Sequence, residues 1–429
     1  MPTEPANRRD FLKAGAVASA AAILPTAVHA AGTDVSPVGV SGTGGRGSGA
    51  AKDCLEADKS VRIVAVGDYF ADRARGVAKN LAKGYADRVQ VGDKVFGGLD
   101  AYKGVLAADV DLVILATPPG FRPTHLEAAI AAGKHIFCEK PVAVDGAGIR
   151  KCLELAEKAK EKKLAIVAGT QRRHQAGYLE TVKRIQDGEI GDIVGGRCAW
   201  NDQGIWYKPR QAKDTDLSYQ INNWYHYLWL CGDHIVEQHV HNLDVMNWVL
   251  GAHPVKAVGF GGRGYRDQTI NRIVDAGQRG DPNVVGQIWD HFAVDYTYPK
   301  DVVINSTCTH IPGVTKDVSE SVVGTKGRAS VNGYRLNKKK VFSGEEVNPY
   351  VQEHVDLINC IKSGKAVNEL QQVAESTMTA ILGRMACYSG QTVTWEQGLN
   401  SKLVLMPAGL SEASKIEITP APVPDKYKV

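Results

Sequence analysis

No run in the 429 residues reaches the roughly 20 apolar residues that a bilayer-crossing helix needs, so no membrane anchor is expected. The longest, Ala14 to Leu24, falls well short. There is no basic tract either. The densest cluster, Lys338 to Lys340, sits in a strand-like segment where a solvated face is the plainer reading, and the formal charge is only +4, so nucleic acid is not an expected partner. A CxxC pair, a low-complexity block and an internal repeat are all absent. The 8 cysteines lie mostly in apolar segments, which favours free buried thiols over a disulfide framework. Aromatic residues are sparse at 7%, yet between Trp200 and Trp229 lie four of the 7 tryptophans, interleaved with Asn201, Asp202, Gln203, Asn222 and Asn223. Flat apolar rings beside amides and carboxylates suit a ligand with a C–H face and many hydroxyls.

With 44% hydrophobic and 23% charged residues the chain reads as globular, and its length suggests two or three domains at roughly 150 residues each. The first thirty residues are set apart. Asn7 to Lys13 read NRRDFLK, followed by the short apolar stretch and a small-residue end, Val28-His29-Ala30. The paired Arg8 and Arg9 resemble a twin-arginine (Tat) signal, which implies use of the Tat export machinery, removal of residues 1–30, and a periplasmic or extracellular location for a protein that folds before export.

Next comes an apolar strand, Pro37 to Val40, and then SGTGGRGSGAA, which contains G-x-G-x-x-G as Gly42, Gly44 and Gly47, with Gly45 and Arg46 inside the turn. A helix-like stretch and a second buried strand, Val61 to Val66, follow, and Asp68 stands about twenty residues beyond the last glycine. The first glycine permits the turn, the second lets backbone N–H groups approach a pyrophosphate, and the third lets helix and strand pack. Asp68 at the next strand end would hold a ribose hydroxyl and favours NAD over NADP, although Arg73 and Arg75 lie close in sequence. Two further buried strands end in Thr117-Pro118-Pro119 and in Glu139-Lys140-Pro141, where parallel sheets place ligands, and His125 falls in the helix between them.

Downstream, GDHIVEQHVHNLD carries acids and histidines with no lysine or arginine between Asp233 and Trp248. At about 100° per residue a single helix would set Glu237, His241 and Asp244 on one stripe with Asp233 and His234, opposite Ile235, Leu243 and Met246. Such a stripe suits a cleft, where a carboxylate would orient a histidine base and raise its pKa. The spacing of His234, Glu237 and His241 matches no strong zinc signature, so no metal is expected. Arg172 and Arg173, after the strand Leu164 to Gly169, could clamp a hydroxyl-rich or anionic ligand, with one of the pair neutralising local acids. From Pro254 to Ser343 the pattern alternates as in a half-covered antiparallel sheet, and helices are expected near residues 349–363 and 368–388. The proline-rich segment Pro420 to Pro424 reads as an ordered strap or a loose end.

Together the glycine loop, Asp68, the T-P-P turn, A-G-K-H-I-F-C-E-K-P and the acid–histidine element resemble the Gfo/Idh/MocA family, over a span from about Val35 onward. That resemblance implies an N-terminal Rossmann domain with a doubly wound parallel sheet (residues 33–165), a C-terminal α+β domain with a large, mainly antiparallel open sheet (166–400) and a tail (401–429). It implies a sugar or polyol as substrate, Lys140 beside the nicotinamide, His241 as its partner base and Glu237 positioning the histidine. Glutamate replaces the family's more usual aspartate there. Thr117, Pro118, His125 and Glu139 would join the glycine loop around the cofactor, and Arg172, Arg173, Asp244, Trp224 and Tyr225 would meet substrate. A homodimer or homotetramer joined through the open sheet is implied. Export adds that the dinucleotide should be tightly bound and recycled in place. The alternatives are an NAD-dependent glycoside hydrolase that oxidises its sugar transiently, against which the intact E-K-P speaks, and a non-catalytic sugar or cofactor sensor.

Overall fold

A computed structural model describes residues 36–266 and 286–429. The proposed signal segment and part of the alternating region, residues 267–285, lie outside the described residues. Six short strands form a parallel sheet: β1 (Ser36–Ser41), β2 (Val61–Gly67), β3 (Val95–Phe96), β4 (Leu112–Leu115), β5 (His135–Cys138) and β6 (Ile166–Ala168). Their order is β3-β2-β1-β4-β5-β6, the doubly wound arrangement in which the chain reverses direction beside β1 and opens a crevice at the strand carboxyl ends. β4 is buried along its whole length, as expected of a strand covered on both faces. β6 completes this sheet, so the first domain runs past the boundary drawn at residue 165.

The second sheet has nine strands: β7 (Ile193–Asp202), β8 (Lys256–Gly262), β9 (His291–Tyr298), β10 (Val302–His310), β11 (Asp317–Gly324), β12 (Gly327–Ser330), β13 (Arg335–Leu336), β14 (Lys339–Lys340) and β15 (Val393–Thr394). It is antiparallel except where β10 lies parallel to β7. In β9, Phe292, Val294, Tyr296 and Tyr298 point inward, while the alternate residues from His291 to Asp295 are exposed. The helix Leu370–Ser389 fills the space under this sheet, buried nearly throughout; Gly383 lets Tyr296 approach so closely that a Cβ would sit 1.9 Å from its hydroxyl.

The helix Pro349–Ser363 forms where expected but does not serve the second sheet. It packs on the helix Gly45–Ala57, and its Leu357 and Ile358 share a core with Val38, Ile63, Ile114 and Phe137 of the first sheet. The tail is a strap. Leu405 N–H donates to Asp145 (2.7 Å), Gln220 donates to the Ile416 carbonyl (3.0 Å), Glu412 binds Tyr69, and Trp289 donates to the Pro422 carbonyl (3.1 Å). All eight cysteines are free, and all but Cys360 are buried.

Candidate active site

The glycine loop links β1 to the helix Gly45–Ala57. Gly42 takes φ +90°, a left-handed conformation that favours glycine, and a Cβ there would strike the Ala116–Thr117 backbone at 2.4–2.7 Å. A Cβ on Gly47 would lie 1.8 Å from the Gly42 carbonyl oxygen, so turn and helix touch. Gly44 and Gly45 have no heavy atom within 4 Å of that position and face open space. The helix therefore presents free N–H groups to a cleft lined by the loop and by Asp68, Tyr69, Arg73, Leu99, Tyr102, Thr117, Pro118, Phe121, His125 and Trp224. An open glycine cradle at a helix start, with an acid at the neighbouring strand end, fits a dinucleotide.

Asp68 is held by Thr43, whose backbone N–H (2.8 Å) and hydroxyl (3.1 Å) donate to Oδ2, and by the Phe70 N–H at Oδ1 (3.0 Å). Arg73 stands 3.5 Å from Asp68 Oδ1 but also donates to Asn222 (2.9 Å), while Arg75 is well exposed and reaches only Asp72. His125 stacks on Tyr102 (centroids 4.1 Å apart), shares a hydrogen bond with the Thr117 hydroxyl (3.0 Å), and is held at a pKa of about 3 by burial and by Arg122. The Arg46 side chain, which edges the cleft, is already paired with acids: its Nε donates to Glu139 (2.5 Å) and its Nη2 to Asp53 (3.2 Å). Glu139 is spent on the same pair, bracing the loop against the end of β5.

Lys140 follows β5 on a cis peptide to Pro141 and is buried. Its Nζ donates to the backbone carbonyl of Glu237 (2.7 Å) and to Glu237 Oε1 (3.1 Å). Glu237 thus positions the lysine, not the histidine, which corrects the sequence expectation. The reason lies in the backbone: the Glu237 carbonyl, which a continuous helix would give to the His241 N–H, is taken by Lys140, and the His241 N–H reaches Gln238 instead (3.3 Å). The single expected helix is consequently two, His234–Glu237 and Val240–Leu250. His241 stacks on Trp200 (5.9 Å) and is held well below the usual imidazole pKa by burial and by the charges of Lys140 and Arg172. The expected upward shift does not occur. His241 is neutral, with a lone pair free to accept.

The break also removes Asp233 and His234 from the stripe. Asp233 accepts from the Trp289 N–H (2.8 Å) and from Tyr388, and His234 packs against Phe292 and His310. Asp244 and Arg173 are withdrawn from substrate: Arg173 Nε donates to Asp244 Oδ2 (2.8 Å) and Ser376 donates to Oδ1 (2.7 Å), a closed buried cluster. Arg172 is also neutralised, by Glu320, and lies near the Trp200 ring (5.8 Å). Trp224 edges the dinucleotide cleft, whereas Tyr225 is buried beside Glu237 with its hydroxyl on His310 (3.0 Å). Among the described residues no cluster of three metal-ligating side chains occurs. Sequence reasoning missed Arg122, which is buried and binds the Leu115 and Thr117 carbonyls to fix the T-P-P turn, and nothing in the pattern marks it. It also missed His310. The alternation Val302, Ile304, Ser306, Cys308 places that histidine on the inward face of β10, a signal that could have found it.

A two-sheet molecule with a dinucleotide cradle and a buried lysine–glutamate pair defines a nicotinamide-type oxidoreductase scaffold. Consistent with this, residues 37–168 match the "Oxidoreductase family, NAD-binding Rossmann fold" and residues 178–330 the "GFO/IDH/MocA C-terminal domain"; together these cover more than half of the chain, which belongs to the Gfo/Idh/MocA oxidoreductase family. Residues 5–25 match the twin-arginine translocation signal sequence, which directs export to the periplasm or beyond. Inositol 2-dehydrogenase of Klebsiella pneumoniae (strain 342) is 31% identical over 219 residues, 50% of this chain and 54% of that protein. Inositol 2-dehydrogenase 3 of Saccharopolyspora erythraea is 34% identical over 211 residues, 47% and 56% respectively. The chain spans about half the length of the curated relatives it matches. Among solved structures, scyllo-inositol dehydrogenase from Lactobacillus casei with bound NAD(H) and scyllo-inositol superposes with a TM-score of 0.62 at 17% identity, covering 84% of this chain and 99% of that one. Aldose-aldose oxidoreductase from Caulobacter crescentus complexed with glycerol gives 0.61 at 17% identity, with coverages of 84% and 99%. These likenesses are of fold.

Proposed function

We propose that this protein is an exported oxidoreductase acting on a CH–OH group of a sugar or polyol, with a nicotinamide dinucleotide retained in the cleft. The observation that carries the reading is the buried Lys140–Glu237 pair beside neutral His241 at the carboxyl end of β5. The loop Gly42 to Gly47, Asp68, Thr117, Pro118 and His125 would hold the dinucleotide, which when bound supplies the hydride acceptor. Asp68, with Arg73 drawn off to Asn222, favours NAD over NADP. The chain's residues handle the proton. Lys140 Nζ gives a proton to the Glu237 carboxylate and with the lone pair so freed takes one from the substrate hydroxyl, while His241 offers a second acceptor that keeps the oxygen in place. Trp200 and Trp224 supply flat apolar surfaces for a ring. Association of copies is supported by the exposed apolar residues Val258, Phe260, Val303 and Val323 on the outer face of the nine-stranded sheet.

Outside the cytoplasm a dissociated cofactor is not replaced, so retention and recycling within the site follow. The test is to purify the exported protein, quantify bound dinucleotide, and assay inositols and aldoses for oxidised product. One equivalent of bound NAD and keto-product formation are expected. A cofactor-free protein that needs millimolar added NAD would refute retention, and no turnover of any polyol or aldose would refute the substrate class.

A further inference from the structure

Beyond the lysine pair, polar groups continue outward, with Tyr225 beside Glu237 and His310 beyond it. Tyr225 and His310 are both buried, with the Tyr225 hydroxyl 3.0 Å from His310 Nε2. His310 Nδ1 lies 2.8 Å from the backbone carbonyl of Gln203, an exposed residue in the loop after β7. A carbonyl only accepts, so Nδ1 carries the proton, Nε2 is bare, and the Tyr225 hydroxyl donates to it. The phenol has one proton and two acceptors to serve, because the Glu237 carboxylate is also beside it. Glu237 Oε2 is accordingly buried with no hydrogen-bond partner. That orphaned oxygen would gain a donor the moment His310 became protonated: Nε2–H would donate to the tyrosine oxygen and the phenol proton would turn to Glu237.

We infer that Tyr225 and His310 form a proton relay from the Lys140–Glu237 pair to the surface at Gln203. This rests on the oxidoreductase reading, because oxidation of an alcohol leaves one proton in a closed site at every turnover. The ammonium of Lys140 gives a proton to Glu237, leaving an amine lone pair for the substrate hydroxyl. The Glu237 carboxylic acid gives its proton to the Tyr225 oxygen as the phenol passes its own to His310 Nε2. The imidazolium releases its Nδ1 proton to solvent beside the Gln203 carbonyl, leaving the neutral Nε2–H tautomer, which exchange of both ring protons with solvent returns to the resting Nδ1–H form before the next turnover. No electrons move in these steps, and each proton gained by one group is lost by its neighbour. The groups facing His310 are Tyr225, Glu237, the His234 ring (4.6 Å between centroids), Arg266, Asp202 and His226. Burial lowers the pKa of His310, and the Gln203 carbonyl and Glu237 oppose that, so it is neutral at rest and chargeable in passing.

Two experiments test the relay. Against the wild-type holoenzyme, His310→Ala and Tyr225→Phe should each lower kcat at least tenfold with KM and bound dinucleotide unchanged, and added imidazole should restore His310→Ala in proportion to its concentration but leave Tyr225→Phe slow. Unchanged kcat, or a loss in His310→Ala that imidazole does not relieve, overturns the relay while the wild type still turns over substrate. Independently of activity, imidazole nitrogen NMR should find the Nδ1–H tautomer at His310. Glu237→Gln should shift the His310 titration in the wild-type background and shift it less in Tyr225→Phe. Equal shifts in the two backgrounds mean that the hydroxyl carries no coupling and also overturn the relay. A wild type that oxidises no polyol or aldose overturns the functional reading instead, and the NMR comparison then decides the relay alone.

Discussion

Glutamate 412 ties the strap to the rim of the dinucleotide cleft, and removing it should loosen the hold on cofactor by a calculable amount. Its Oε2 accepts from the Tyr69 hydroxyl (2.6 Å) and its Oε1 from the Leu99 N–H (3.1 Å), and both Tyr69 and Leu99 line the cleft. Burial and then the neighbouring carboxylate push the Tyr69 phenol up, so it stays a donor throughout the working range. On an exposed rim each bond contributes about 0.5–1 kcal/mol, toward the lower part of the range for intramolecular hydrogen bonds. Glu412→Ala loses both, about 1–2 kcal/mol, which at about 1.4 kcal/mol per factor of ten predicts roughly 5- to 30-fold faster dinucleotide release. Tyr69→Phe loses one bond, so about 2- to 5-fold is expected by the same conversion. The assay is a chase of bound reduced nicotinamide with excess oxidised cofactor, followed by fluorescence. Release from Glu412→Ala within about twofold of wild type would refute the reasoning, since it would mean that the strap rests on the rim without bracing it.

Three other outcomes follow from the site. Lys140→Met should abolish turnover while bound dinucleotide remains near one equivalent, and measurable turnover would remove the lysine from the chemistry. Asp244→Asn strips one charge from a buried pair and should cost about 3–5 kcal/mol in a denaturant melt with little change in KM; unchanged stability with a raised KM would return Asp244 to the substrate. His174 is resisted by burial, but its hydrogen bonds to Asp356 (2.6 Å) and the nearby Glu369 win and raise its pKa to about 10. A raised histidine pKa gives stability that is complete below the unfolded value near 6.5 and is lost as pH climbs toward 10. The melting temperature should therefore fall from pH 7 to pH 10, more shallowly in His174→Gln, and equal slopes would refute the assignment.

What the sequence disclosed was whatever depends on local chemistry. The turn of the glycine loop was legible because Gly42 and Gly47 answer contacts within the loop and with the adjacent T-P-P turn, and the position of Lys140 because it follows a buried strand. The partner of Glu237 was misread because helical periodicity assumes an unbroken backbone. A carbonyl captured by Lys140, almost a hundred residues away in sequence, ended that helix and rotated the acid toward the lysine. Arg172, Arg173 and Asp244 looked like ligand groups because their partners, Glu320 and Ser376, come from distant strands and helices. The place of the helix Pro349–Ser363 was hidden for the same reason: its apolar stripe shows that it covers something, not what.

That helix has a consequence for the order in which the molecule is made. One wall of the dinucleotide-binding half comes from residues 349–363, and bridges near Asn368 extend it, so the glycine loop and its acid emerge from the ribosome long before the surface that completes their core. A nascent chain stopped in the second sheet would carry a first sheet whose face, covered by the helix Gly45–Ala57, still lacked Leu357 and Ile358. The core of the dinucleotide-binding half is therefore finished only after the second sheet has been made, and an export route that accepts folded cargo receives that half complete only once the helix Pro349–Ser363 has docked.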